Sequence, residues 1–254
     1  MLRAFLDGAV FGTTKGDGAP RVLLLHGWRR THDDFDRVAD ALESRGVSSL
    51  SLDLPGFGAT PAPAVGMGAR GYAAQLAGLV ESVASSGSPM VLVGHSFGGL
   101  VATCLAASVP DAVAGVVLIG APLVRSAMPR GRTSRRYRAV RAAARLGLVS
   151  ESRLEAARRQ YGSADYRAAT GVVRDVLVAT VGESYEAELA ALRCPVTLVW
   201  GADDTTVPLA VAAAAQRLVP AATLEVLDGV GHLVPTEAPE RLAAAALTML
   251  GGAS

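Results

Sequence analysis

The chain predicts an α/β fold: a mostly parallel, doubly wound sheet with helices on both faces and a helical segment inserted late in the sequence. Three observations carry this. Short apolar runs bounded by Gly, Pro or Asp alternate with stretches of helical spacing, the pattern of strand and crossover helix. One run, Met90-Val91-Leu92-Val93, passes directly into Gly94-His95-Ser96-Phe97-Gly98-Gly99 and then into the apolar stretch Leu100 to Ala107. That reads as a strand reversing into a helix with a serine at the turn. Finally, from about Leu123 to Ala190 the strand pattern stops and the chain is helical, alanine-rich and arginine-rich.

In order, the expected strands are Arg21 to Leu25, Ser48 to Leu52, Met90 to Val93, Ala114 to Ile119, Val196 to Trp200 and Thr223 to Leu227. Between them, Phe35-Val38-Ala39-Leu42, Tyr72-Leu76-Leu79-Val80-Val83 and Leu209 to Leu218 keep helical periodicity. Residues 1–123 and 191–254 are therefore assigned to the core and 124–190 to an inserted helical cap. Structureless loops longer than about 12–15 residues are uncommon in compact domains, so a segment of that length is an element with a purpose.

A chain of 254 residues buries about 70–75% of its unfolded surface and needs neither disulfide nor metal for stability. Half the residues are hydrophobic, yet no apolar run approaches the roughly 18 residues of a membrane span. Met1 to Gly8 places Asp7 and Gly8 where a secretory signal requires continuous apolar residues, so the expected location is cytoplasmic. Cys104 and Cys194 form no C-x-x-C pair and read as small buried apolar residues. With four His and a net charge of +1, no metal, cofactor or nucleic-acid partner is expected.

By chance alone a G-x-S-x-G arises about 0.2 times in a chain of this composition; its place between strand and helix gives it meaning. Serine is a poor nucleophile until a base takes its proton, and a histidine base needs a carboxylate to fix its tautomer. Candidates follow in order: Asp203 or Asp204 in Trp200-Gly201-Ala202-Asp203-Asp204, and His232 in Gly231-His232-Leu233.

With these motifs, together with His26-Gly27-Trp28 and Asp53-Leu54-Pro55-Gly56-Phe57-Gly58, nearly the whole chain resembles the α/β-hydrolase family. The resemblance implies Ser96 as nucleophile, His232 as general base and acid, and Asp204 as the orienting carboxylate, since it lies three residues after the glycine and four before Pro208. Asp203 is then a solvated or turn-capping residue. The resemblance also implies an oxyanion hole from the backbone N–H groups of Trp28 and Phe97, with Trp28, His26 and His95 around the pocket. His26 is expected to shape the oxyanion loop and His95 to brace neighbouring loops, while His32 reads as a surface residue near a helix start, with a place at the pocket mouth as the alternative.

The expected activity is hydrolysis of a carboxylic ester, on a small to medium acyl or natural-product-like substrate, through an acyl-enzyme on Ser96. A serine at the turn argues against the dehalogenase and epoxide hydrolase branches, which use aspartate there. The alternatives are an acyltransferase or thioesterase with the same triad and an anionic acyl donor, or a carbon–carbon bond hydrolase, although the early loop lacks the glycine-rich spelling typical of the latter. Proline-specific peptidase, perhydrolase and ligand-sensing roles stay open. Arg125, Arg130, Arg132, Arg135, Arg136, Arg138, Arg141 and Arg145 fall in a stretch without Asp or Glu. They read either as a solvated helical face or as a docking surface for an anionic partner.

Overall fold

The computed structural model describes residues 1–128, 135–161 and 164–251. Eight strands form one sheet: β1 (Leu2–Phe5), β2 (Val10–Lys15), β3 (Val22–Leu25), β4 (Ser49–Asp53), β5 (Met90–His95), β6 (Val113–Ile119), β7 (Val196–Gly201) and β8 (Thr223–Leu227). Their order is β1-β2-β4-β3-β5-β6-β7-β8. The six strands read from sequence are β3 to β8, all in parallel register. The antiparallel pair β1 and β2 has no counterpart among them. Its residues alternate weakly and include Gly12, where a Cβ would lie 2.4 Å from the Ser51 carbonyl oxygen, so close strand approach replaces side-chain burial as the local signal.

The helices are α1 (Asp36–Glu43), α2 (Ala69–Ser86), α3 (Phe97–Ser108), α4 (Arg135–Arg145), α5 (Glu151–Tyr161), α6 (Ala164–Ala168), α7 (Gly171–Gly182), α8 (Glu186–Ala190), α9 (Leu209–Leu218), α10 (Val234–Glu237) and α11 (Pro239–Gly251). Strand periodicity of two divides the core. Val22, Leu24, Val91, Val93, Val117 and Ile119 face α1 and α11, while Leu23, Leu25, Leu92, Val116 and Leu118 face α2, α3 and α9. Both faces of β3, β5 and β6 are buried, as a parallel sheet requires.

Between β6 and β7 no strand occurs among the described residues, and α4 to α8 fill the interval. Helix α4 packs on α5, and α8 packs on α3 and α9. Val176 of α7, Tyr185 just before α8 and Leu189 of α8 enter the main core. Arg70 of α2 ties this end down through Glu188, the Ser184 carbonyl and the face of Tyr185. Arg130 and Arg132 lie outside the described residues. No helix among the described residues is long and apolar enough to cross a membrane.

Candidate active site

Ser96 follows the last residue of β5 and precedes the first of α3, with φ 51° and ψ −111°. A positive φ on a non-glycine residue costs on the order of 1–3 kcal/mol and persists only where surroundings over-determine it. Here they do: the Ser96 N–H donates to the Ile119 carbonyl at 2.8 Å, and the Gly98 N–H to the His26 carbonyl at 3.1 Å. The flanking glycines are steric necessities. A Cβ at Gly94 would lie 2.4 Å from the Gly98 carbonyl oxygen, and one at Gly98 would lie 2.1 Å from that of Leu25.

His232 lies beyond β8, and Asp204 beyond β7. The His232 Nδ1–H donates to Asp204 Oδ2 at 2.7 Å, while Asp204 Oδ1 accepts the N–H groups of Thr206 and Val207, each at 2.8 Å. An ionised carboxylate only accepts, so Nδ1 of His232 carries the proton and the lone pair of the neutral ring sits on Nε2. Burial raises the Asp204 pKa, but the bonds from His232, Val207 and Thr206 outweigh it and leave the carboxyl below its usual value. Trp200, fully buried, fixes the acid loop by donating from Nε1 to the Val207 carbonyl at 2.8 Å. Asp203, by contrast, is exposed, with its main-chain N–H donated to the Val230 carbonyl.

The loops after β3 and β6 come close as well. A Cβ at Gly27 would lie 2.8 Å from His95 Nδ1 and 3.4 Å from Ser96 Cβ, and one at Gly120 would lie 3.1 Å from both Asp204 Oδ2 and His232 Nδ1. The Ser96 hydroxyl carries no hydrogen bond to His232 in this structure; such bonds commonly tighten only with substrate in place. The backbone N–H groups of Trp28 and Phe97 have no backbone acceptor among the described residues.

His26 and His95 are buried behind these loops. Nδ1 of His26 donates to the Gly27 carbonyl at 2.8 Å and Nε2 accepts the Leu54 N–H at 2.9 Å, so the ring is neutral and ties two loops together. Burial lowers its pKa. His95 donates from Nε2 to the His232 carbonyl at 2.8 Å, and burial together with the neighbouring His232 pushes its pKa down to about 4. Trp28 packs edge-on against Phe57 and Phe97, at 5.1 and 5.6 Å between ring centroids, and Tyr72 backs Phe97 at 5.0 Å.

Two carboxylates take roles that the sequence did not assign, although Asp53 stood in one of the motifs. Asp53, buried at the end of β4, accepts the backbone N–H and Nδ1–H of His32 at 2.8 and 2.9 Å and the Ala59 N–H at 2.8 Å. Burial raises its pKa, but the bonds from Ala59 and His32 prevail and the net shift is downward. His32 is therefore a partner of the interior, not a free surface residue. Glu237 spans His232, accepting the N–H groups of Gly231 at 2.8 Å and Leu233 at 3.0 Å. The available signal was an acid in the first turn of a short Pro-containing helix. Among the described residues no group of three or more His, Cys, Asp or Glu is placed to hold a metal ion.

A profile described as "Alpha/beta hydrolase family" matches residues 22–245. The chain is 30% identical over 275 residues to the magnesium-chelatase 30 kDa subunit of Rhodobacter capsulatus, covering 97% of this chain and 92% of that one. It is 31% identical over 223 residues to the pimeloyl-[acyl-carrier protein] methyl ester esterase of Chromobacterium violaceum, covering 79% and 82%. A thermophilic esterase from Thermogutta terrifontis superposes with a TM-score of 0.69 at 26% identity, over 98% of this chain and 96% of that one.

Proposed function

Because the chain belongs to the alpha/beta hydrolase family, we propose that it is a serine hydrolase that cleaves a carboxylic ester through an acyl-enzyme on Ser96. The observation that carries this reading is the Asp204–His232 hydrogen bond, 2.7 Å, at the same end of the sheet as a serine held in a strained turn. Nε2 of His232 takes the Ser96 proton as Oγ attacks the ester carbonyl, and the imidazolium so formed is stabilised by Asp204. The N–H groups of Trp28 and Phe97 receive the oxyanion, a pair worth on the order of 100–1000-fold in rate per donor. His232 then protonates the leaving alcohol, and water, deprotonated by the same ring, releases the acid. Residues 124–190 act as the cap over this centre.

Fluorophosphonate labelling read by intact mass tests the mechanism: wild type gains one adduct and Ser96→Ala gains none. An adduct surviving Ser96→Ala overturns it. A second reading, acyl transfer or thioester cleavage from an anionic donor, draws support from the exposed Arg125, and from Arg136 and Arg138, exposed on α4. Reversing Arg136 and Arg138 to Glu should then depress turnover of charged donors selectively; equal effects on charged and neutral esters remove that reading.

A further inference from the structure

A cavity of about 340 Å³ opens between the loop after β3, the Gly56–Gly58 turn and the start of α7. Phe57 and Val173 are the large apolar residues of a mixed lining, and its charged residues are two arginines, Arg29 and Arg30. The neighbouring carboxylates are already engaged. Asp34 holds Arg30 through two hydrogen bonds, one of 2.6 Å from Nε. Asp33 accepts from the Thr31 hydroxyl at 2.9 Å and lies 3.1 Å from His32 Nε2. Arg29 has no carboxylate partner among the described residues.

Arg29 also occupies a backbone conformation that disfavours it, with φ 57°. Left-handed positions favour Gly or Asn, and the turn that holds Arg29 there is closed by the Arg30 N–H donating to the Gly27 carbonyl at 3.2 Å. Its main chain directly follows Trp28, whose N–H is the proposed oxyanion donor. Phe57, which packs on Trp28 and lies 6.3 Å from the Phe97 ring, is a shared wall between this cavity and the surroundings of Ser96.

We infer that this cavity is a substrate subsite for a carboxylate carried on a short aliphatic chain, with Arg29 as its counter-ion. The aliphatic part covers Phe57 and Val173, and the carboxylate meets the one guanidinium of this lining that no other described residue neutralises. A singly charged group fits better than a doubly charged phosphate, because Asp34 cancels the second arginine. The substrate is then an ester whose far end is an acid. This deepens the serine-hydrolase reading and rests on it for its kinetic arm.

The test compares p-nitrophenyl monoesters of adipate with those of hexanoate, which differ only in the terminal carboxylate. Wild type should favour the adipate ester by about tenfold in kcat/KM, chiefly through KM, the worth of one charge-assisted contact. Arg29→Gln should bring that ratio to near one, Arg29→Lys should keep most of it, and rising salt should erode it. A wild-type ratio near one, or a ratio that Arg29→Gln leaves intact, overturns the subsite. If neither ester is turned over, fluorophosphonate labelling judges the serine reading separately, and calorimetric titration of Ser96→Ala with adipate decides the subsite: binding lost on adding Arg29→Gln supports it, and no binding, or binding that Arg29→Gln leaves intact, refutes it.

Discussion

The His95 ring donates its Nε2 proton to the main-chain carbonyl of His232 at 2.8 Å, with the two rings 4.8 Å apart. A residue inside the serine turn thus holds the loop that presents the histidine. The imidazole links turn to loop directly, while Glu237 and Asp204 hold the loop from its other sides. His95→Phe keeps most of the volume but leaves the His232 carbonyl unpaired. It should lower stability by about 1–3 kcal/mol in urea titration and reduce kcat by about tenfold with little change in KM. A change confined to KM would contradict the positioning role.

Asp203 and Asp204 give the sharpest contrast between neighbours. Asp204→Asn replaces an acceptor that dictates the His232 tautomer, and under the proposed mechanism kcat/KM should fall by a factor on the order of 10⁴. Asp203→Asn, at an exposed side chain, should stay within about twofold. Steady-state kinetics on one ester decides the assignment.

Stability should decline as pH falls below about 6.5. His95 has a folded pKa of about 4 against 6.5 for an unperturbed histidine, so below 6.5 the unfolded chain binds a proton that the folded chain refuses. The loss grows to about 3 kcal/mol near pH 4. His26, also lowered by burial, acts in the same direction. The depressed carboxyls of Asp53 and Asp204 contribute stability present above about pH 3.8 and lost as pH falls through their folded values. Urea midpoints at pH 7.5, 5.5 and 4.5 should descend, and less steeply in His95→Phe; a flat profile contradicts the buried neutral rings.

Asp53→Asn should cost about 2–4 kcal/mol, because one amide oxygen cannot replace two carboxylate oxygens serving three donors. Since His32 and Ala59 belong to loops flanking Trp28 and Phe57, activity should fall along with the melting temperature. Gly58→Ala should be comparably damaging: φ there is +54° and a Cβ would lie 2.2 Å from the Asp53 carboxyl. Thermal melts of both variants check this.

The parallel strands, the serine turn and the order of Ser96, Asp204 and His232 were legible in the sequence because each is written locally. Strands buried on both faces leave continuous apolar runs, helices repeat every 3.6 residues, and a turn that admits no Cβ requires glycine at fixed positions. What lay between distant segments was decided only by the tertiary structure. Spacing from Gly201 and Pro208 favours Asp204 over Asp203, and the fold supplies the physical contact behind that preference, a hydrogen bond to His232, 28 residues away. Asp53 and Glu237 became visible as loop braces, and β1 and β2 as strands, only once their partners were in place. Arg29 resembles any exposed arginine until the fold leaves it at a cavity mouth with the neighbouring carboxylates engaged. Such roles depend on which groups lose water together, and a linear chain does not specify that until it packs.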